Sequence, residues 1–386
     1  MKKLILCINI LLLSSCAVTD THPNVYSSTV LYKPEKGATL KIYVPDVSMA
    51  DFFVELWNQT YEEYAGMISI TTDRSESDIY WATDSDVMKG NEEGYPIKNI
   101  SVENPCPDIF IRKEIENIFY PLYGDGLIFV WNKETAKQYG FLDEQLEDFN
   151  QLQGFKQGYY FHRNVDSIMP FFIYKNDFDN AISMNDLFSD TFLKRYVQYC
   201  NFYKDINIQD NTLDDKLFYE DDGYISGLVT MSEVKKIKSY KNMNLTFTPM
   251  PSYNGKKLHT VLDIYGFVIK SDSRYPKTAF AFLQMLRSDQ GIKKSIENGF
   301  YPLLDKEDIE KIGIYDTYVK QILSTMHDSQ LRNTSYIKEK PSIQIEELMK
   351  DSDFISLLQN SLYGEDDESL FLRKLKDSVF HWIYLQ

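Results

Sequence analysis

Apolar and polar positions alternate with a period of two in TLKIYVPD, where Leu40, Ile42 and Val44 share a face and Pro45 stops the run, so the spacing predicts a strand. The period then changes. Ser48 is placed as a helix cap with Asp51 three residues on, and Phe53, Trp57 and Tyr61 give the apolar side of a helix around which Phe52, Leu56, Gln59 and Glu63 also step. MISITTD and SDIYWA supply two more short strands. GLIFVWN, at 126–132, is a fourth with few polar residues, as expected of a buried parallel strand.

Further on, PKTAFAFLQMLRSDQGIKKSIENG predicts two consecutive helices. Ala279, Phe282, Leu283 and Leu286 line one face of the first, Asp289 caps the second and Gly299 ends it. The chain closes on a helix with Leu372, Leu375, Val379 and Trp382 in one stripe. Strands alternating with helices point to α/β lobes. No internal repeat or low-complexity tract interrupts them.

The amino terminus changes the picture from a plain soluble chain. MKKLILCINILLLSSC carries two lysines, an apolar run from Leu4 to Leu13 broken only by Asn9, and small residues before Cys16. The run is too short to span a bilayer, which takes roughly 20 residues. Leu13-Ser14-Ser15-Cys16 resembles the bacterial lipoprotein signal, which implies cleavage after residue 15 and a lipid on Cys16, holding the protein to the cell membrane on its extracytoplasmic side. Residues 16–37, rich in Pro, Ser and Thr from His22 onward, are then a flexible tether. Roughly 350 residues remain, about right for two lobes.

Charge and cysteine usage narrow the function classes. The 386-residue chain has net charge −16, and loss of Lys2 and Lys3 with the signal leaves 39 basic against 57 acidic residues. Such a surface disfavours nucleic acid and anionic lipid as partners. Of four cysteines, Cys7 leaves with the signal and Cys16 is lipidated; Cys106 and Cys200 could pair or stand as two isolated thiols, and no spacing suggests a metal. His-Glu-x-x-His, Gly-x-Ser-x-Gly and a phosphate-binding glycine loop are all missing, and the calcium-loop pattern begun by Asp84-Ser85-Asp86 fails at Met88. Acidic pairs such as Asp221-Asp222 and Asp366-Asp367 read as solvated loops. The expectation is a chain that is not an enzyme, with no cofactor and no metal.

SDIYWATDSDV sets a tryptophan three places before an aspartate at the end of a strand. Ile79 and Trp81 share one strand face, Tyr80 takes the other, and Asp84 lies just past the strand. Open α/β sheets collect ligands at such carboxyl ends. Three segments in order then carry a resemblance spanning nearly the whole mature chain: SDIYWATD; YPLYGDGLIFVWNKE from Tyr120 to Glu134; and MPSYNG, DIYGFVIKSDSRYPKTAFAFLQMLRSDQG and GFYPLL. Together they resemble the maltose-binding-protein-like (family 1) solute-binding proteins of ABC transporters.

The resemblance implies an α/β, two-lobed, periplasmic-binding-protein-like (type II) fold with hinge crossovers. A small solute, a mono- or oligosaccharide, would be gripped in the cleft by a monomer and delivered to ABC permease subunits. It also implies an amino-terminal lobe of 38–124 plus 267–305 and a carboxyl-terminal lobe of 125–266 plus 306–386. Residue by residue, Trp81 matches the sugar-stacking tryptophan, Asp84 the carboxylate beside it and Asp125 the hinge carboxylate. A pyranose offers a flat CH face to an aromatic ring and hydroxyls to charged acceptors. Gly124-Asp125-Gly126 is then a candidate hinge, since glycine tolerates unusual backbone angles.

Departures limit the analogy. Ser232-Glu233-Val234 stands where the family often has Gly-x-Trp, Asp166 where a tyrosine is expected, and the helix that maltodextrin proteins place between ISITTD and SDIYW is lacking. Long maltodextrins fit poorly. Tyr123, Tyr159, Tyr160, Asp263 and Tyr265 could rebuild a different site, although core packing is as good an account of any one tyrosine among 28. Two alternatives stay open: another small solute such as a polyamine, and a surface sensor or adhesion lipoprotein that kept the fold.

Overall fold

Ten strands join into one curled sheet whose central members, Phe119–Asn132 and Val261–Ile269, run antiparallel to each other, the first continuing beyond the second to pair with Ser226–Thr230 and Leu245–Thr248. The structure is a computed structural model. It describes residues 32–152 apart from 46–47, 91–92, 98–99, 139 and 143–146; then 159–161, 181–182, 226–239, 245–332 apart from 254 and 256, 336–337, 340–344, 373–374 and 377.

In chain order the elements begin with β1 (Leu40–Tyr43), α1 (Ser48–Thr60), β2 (Ile68–Thr71), β3 (Ile79–Thr83), α2 (Asp84–Gly90), β4 (Phe119–Asn132) and α3 (Lys133–Gln138). Next come α4 (Phe149–Leu152), β5 (Tyr159–Phe161), β6 (Ala181–Ile182), β7 (Ser226–Thr230), α5 (Val234–Ser239), β8 (Leu245–Thr248) and β9 (Val261–Ile269). The remainder are α6 (Pro276–Leu286), α7 (Asp289–Glu297), β10 (Tyr301–Pro302), α8 (Lys306–Lys311), α9 (Thr317–His327), β11 (Gln330–Leu331), β12 (Tyr336–Ile337) and β13 (Lys340–Gln344). The main path is β2-β1-β3-β9-β4-β7-β5, with β8 and β10 on β4 and β11 on β9; β13, β12 and β6 form a separate small sheet.

The amino-terminal patterns fold as their periods predict. β1 is parallel to β2 and β3, with Leu40 and Ile42 buried and Lys41 exposed between them. Phe53 and Trp57 on α1 are fully buried, Trp57 donating its indole N–H to the Tyr64 carbonyl at 3.0 Å. Each such side chain contributes about 1.5–3 kcal/mol of burial. Phe53 meets Phe282 of α6 edge-on at 5.6 Å, tying the first β-α unit to a helix more than 200 residues away. β3 divides its side chains as alternation requires: Ile79 and Trp81 join one apolar cluster, Tyr80 and Ala82 the other.

Several expectations change. GLIFVWN belongs to a 14-residue strand, β4, whose partners β9, β7 and β8 are all antiparallel to it. A strand buried on both faces reads as an apolar run whatever its neighbours' direction, so the run could not report that direction. α7 is capped by Ser288, which accepts from the Gly291 N–H at 3.1 Å, not by Asp289. Gly299 does end it, at φ 85°.

Residues 32–37, assigned above to the tether, are docked. Tyr32 N–H donates to Gln284 Oε1 at 2.8 Å, and the Glu35 carboxylate accepts from the Thr278 N–H at 3.1 Å and hydroxyl at 3.2 Å. Tyr275, the N-cap of α6, makes no side-chain cap bond, so Glu35 supplies from a distance the acceptor that an orphan N–H of the first turn needs. The closing helical stripe at Leu372, Leu375, Val379 and Trp382 lies outside the described residues, as do Asp166, Cys200, Cys7 and Cys16; Cys106 is a free thiol.

Candidate functional site

β3, β9 and β4 lie side by side, and residues opposite one another in antiparallel pairs share a face. The registers Trp81↔Phe267 and Thr83↔Tyr265, then Tyr123↔Tyr265 and Asp125↔Asp263, put Trp81, Tyr123, Asp125, Asp263 and Tyr265 on one face of three strands. Asp84 follows at the first residue of α2.

A β-bulge makes this alignment. Pro121 is opposite Gly266 and Tyr123 opposite Tyr265, so Leu122 has no partner on β9. Proline has no N–H to give the ladder, which suits Pro121 to an irregular position. The unpaired Leu122 carbonyl accepts from the Leu303 N–H at 3.0 Å and from Arg287 Nη1 at 3.5 Å. Arg287 is fully buried and also donates to the carbonyls of Asn104 and Leu303, so its charge is dispersed over backbone oxygens from three segments. By absorbing one residue the bulge turns Tyr123 and Asp125 to the face of Tyr265 and Asp263.

The aromatic part is packed rather than open. Trp81 is 7% exposed, with ring centroids 5.7 Å from Tyr265 at 26°, 5.7 Å from Tyr123 and 5.3 Å from Phe267. Tyr265 lies stacked on Trp81 and is the more exposed of the two. Tyr123 is 3% exposed, with its hydroxyl 2.9 Å from Ser295 Oγ. The resemblance nominates Trp81 as the stacking surface; in this structure Tyr265 is the ring closer to solvent. The side chains of Tyr159 and Tyr160 lie outside the described residues; their backbone forms β5.

The three carboxylates have different partners. Asp84 is 1% exposed and ion-paired to Arg112 Nε, and its other oxygen accepts from the Ser85 N–H at 2.8 Å. Asp263 is held by both Nε and Nη2 of Arg332. The two pairs are linked, because Arg112 Nη2 donates to the Arg332 carbonyl at 2.6 Å. Among the described residues, Asp125 accepts only from neutral donors: the Gly126 N–H at 2.9 Å, the Ser232 N–H at 3.2 Å and the Ser232 hydroxyl at 2.7 Å.

These partners set the proton affinities. Burial pushes the Asp125 carboxyl up to about 6, opposed by the Ser232 and Gly126 hydrogen bonds and reinforced by the facing Asp263 charge. Burial also raises Asp84, against the pull of Arg112. Burial raises the Tyr265 phenol, and the charges of Asp263, Asp125 and Asp86 raise it further, against Arg332.

Arg112, Ser232 and Arg332 are absent from the residues proposed from sequence. Ser232 belongs to the segment noted for lacking an aromatic, and its hydroxyl takes up the Asp125 carboxylate instead. Nothing in the sequence pairs positions 107 or 69 residues apart, as Asp125–Ser232 and Asp263–Arg332 are. Both glycines of the candidate hinge lie within β4. Neither Gly124 nor Gly126 has a positive φ. A Cβ on Gly126 would sit 2.5 Å from the Val261 carbonyl oxygen, so glycine there permits close strand approach.

No protein-family model matches the chain, and no curated protein does. Solved structures do match. The maltodextrin-binding protein MalE1 from L. casei BL23, without ligand, superposes with a TM-score of 0.66 at 13% identity, over 89% of this chain and 98% of its own. The cyclic α-maltosyl-1,6-maltose-binding protein of Arthrobacter globiformis gives 0.62 at 14%, over 90% and 98%. A cyclo/maltodextrin-binding protein complexed with maltotetraose gives 0.65 at 14%, over 91% and 99%. The chain therefore has the α/β, two-lobed, type II binding-protein fold that the resemblance implies.

Proposed function

We propose that the chain captures an extracellular mono- or oligosaccharide at the β3–β9–β4 face and hands it to an ABC permease. The observation that carries this reading is the convergence of Tyr265, stacked on Trp81, with the Asp125 carboxylate on adjacent strands. An aromatic plane and a strong acceptor are the two features that a pyranose ring and its hydroxyls require. Support also comes from end-to-end likeness in fold to proteins named for binding maltodextrins and a cyclic maltosyl-maltose.

The amino-terminal signal makes the mature protein a lipoprotein, anchored through Cys16 on the extracytoplasmic side of the cell membrane. The lobes are 38–124 plus 267–305 and 125–266 plus 306–386, and the protein does no covalent chemistry. A thermal-shift screen of the lipid-free protein against mono- and oligosaccharides tests the binding: a ligand at 100 times its dissociation constant stabilises by about 2.7 kcal/mol. If no saccharide shifts the midpoint, the carbohydrate reading fails. Replacing Cys16 with Ala releases the protein from membranes; a variant still bound after a high-salt wash would overturn the anchor.

A further inference from the structure

The charges around Tyr265 do not balance. Asp84 and Asp263 each hold an arginine, whereas the partners of Asp125 are two backbone N–H groups and one hydroxyl, and Asp86 accepts from the Thr83 hydroxyl at 2.7 Å. Asp125 has no cation among the described residues. The Tyr265 hydroxyl senses the excess, since three carboxylates and one guanidinium act on it. A stacked aromatic pair beside a half-buried carboxylate with no cation among the described residues suits a cationic nitrogen, which gains from the ring faces and from the charge together.

We propose that the site selects a ligand bearing a protonated amine, an amino sugar in preference to a neutral one, with Asp125 as the group that recognises the ammonium. This rests on the reading of the β3–β9–β4 face as a saccharide site and adds a charge class to it. Ser232 is the specificity partner, because its hydroxyl and N–H hold the Asp125 carboxylate with neutral donors and so leave its charge for the ligand. Among the described residues, the groups facing Asp125 are Asp263 and Tyr265 from β9, Tyr301 from β10 and Ser232 after β7; the nearest guanidinium, Arg332, is held by both Nε and Nη2 on Asp263.

The test is calorimetry of the lipid-free protein with β-1,4-linked glucosamine tetramer, cellotetraose, maltotetraose and spermidine. The first two probes differ only by amine against hydroxyl at each C2. The amine form should bind at least about tenfold more tightly at pH 7, the margin of a charge-assisted over a neutral hydrogen bond. That margin should shrink with added salt and vanish in Asp125→Asn. If either neutral tetramer binds as tightly as the amine form, or more so, the inference is overturned while the carbohydrate reading stands. Spermidine binding with no sugar binding overturns the carbohydrate reading and keeps ammonium recognition. If none of the four binds, both fall. The salt series on the parent protein decides the matter even if Asp125→Asn does not fold: an unchanged preference between low and high salt counts against an ammonium–carboxylate contact.

Discussion

Arg112→Met would break the most deeply buried ion pair among the described residues. The Arg112 and Asp84 side chains are 2% and 1% exposed, so the variant leaves a carboxylate in the interior with only the Ser85 N–H, and strips the Arg332 carbonyl of a donor at 2.6 Å. Removing one partner of such a pair costs about 3–5 kcal/mol, a large part of the roughly 5–15 kcal/mol by which domains are stable. Removing both charges, in Asp84→Leu with Arg112→Met, should return the protein to near parental stability, since desolvating two ions cancels most of their attraction.

Acidity separates this account from simple loss of packing. Burial already raises the Asp84 carboxyl with Arg112 in place, and the nearby Asp263 charge acts in the same direction. Without the guanidinium it rises further. A group with a raised folded-state pKa contributes stability below its unfolded value, about 3.9, and loses it as pH rises through the folded value. The Arg112→Met deficit should therefore be largest near neutrality and shrink towards pH 4. Urea melts of parent, both single variants and the double variant at pH 7 and 4.5 measure this, with m-values checked for constancy. A deficit under about 1 kcal/mol at pH 7, or one independent of pH, would refute the argument.

Three further outcomes follow from particular contacts. Gly126→Ala should destabilise by about 1–3 kcal/mol, because the added methyl meets the Val261 carbonyl at 2.5 Å, and more than Gly124→Ala, whose nearest neighbours are the side-chain ends of Leu303 and Met326; denaturant melts rank the two. With the Asp125 carboxyl held near 6, the parent should lose more stability than Asp125→Asn as pH rises from about 4 through 6, the raised Asp84 carboxyl being common to both; parallel pH profiles of the two midpoints would contradict this. Glu35→Ala should cost about 1 kcal/mol by uncapping α6 and should speed amide exchange at Tyr32 and Glu35; unchanged exchange would mean that the segment is held by other contacts.

Local patterns were enough for the units that depend on local patterns. The period-two run at Leu40–Val44, the helix from Ser48, the split of Ile79 and Trp81 from Tyr80, and the helix pair before Gly299 were all legible, because side-chain period acts over a few residues. The overall architecture was legible through three separated segments that resemble a known family. Five of the six ligand-site candidates, Trp81, Tyr123, Asp125, Asp263 and Tyr265, do meet on one face.

What the tertiary structure alone decided is how each candidate is occupied. Strand register across β3, β9 and β4, with one bulged residue at Leu122, determines which side chains share a face, and a shift of a single residue would have sent Tyr123 and Asp125 to the other side. The arginines that neutralise Asp84 and Asp263 arrive from 28 and 69 residues away, and the serine on Asp125 from 107. Such pairings depend on long-range packing, to which no local pattern is sensitive. The same physics moved the base of the tether: Glu35 looks like one more solvated charge in a polar leader, and only the folded chain places it over the uncapped first turn of α6, where the orphan Thr278 N–H and the helix dipole give a carboxylate a reason to stay.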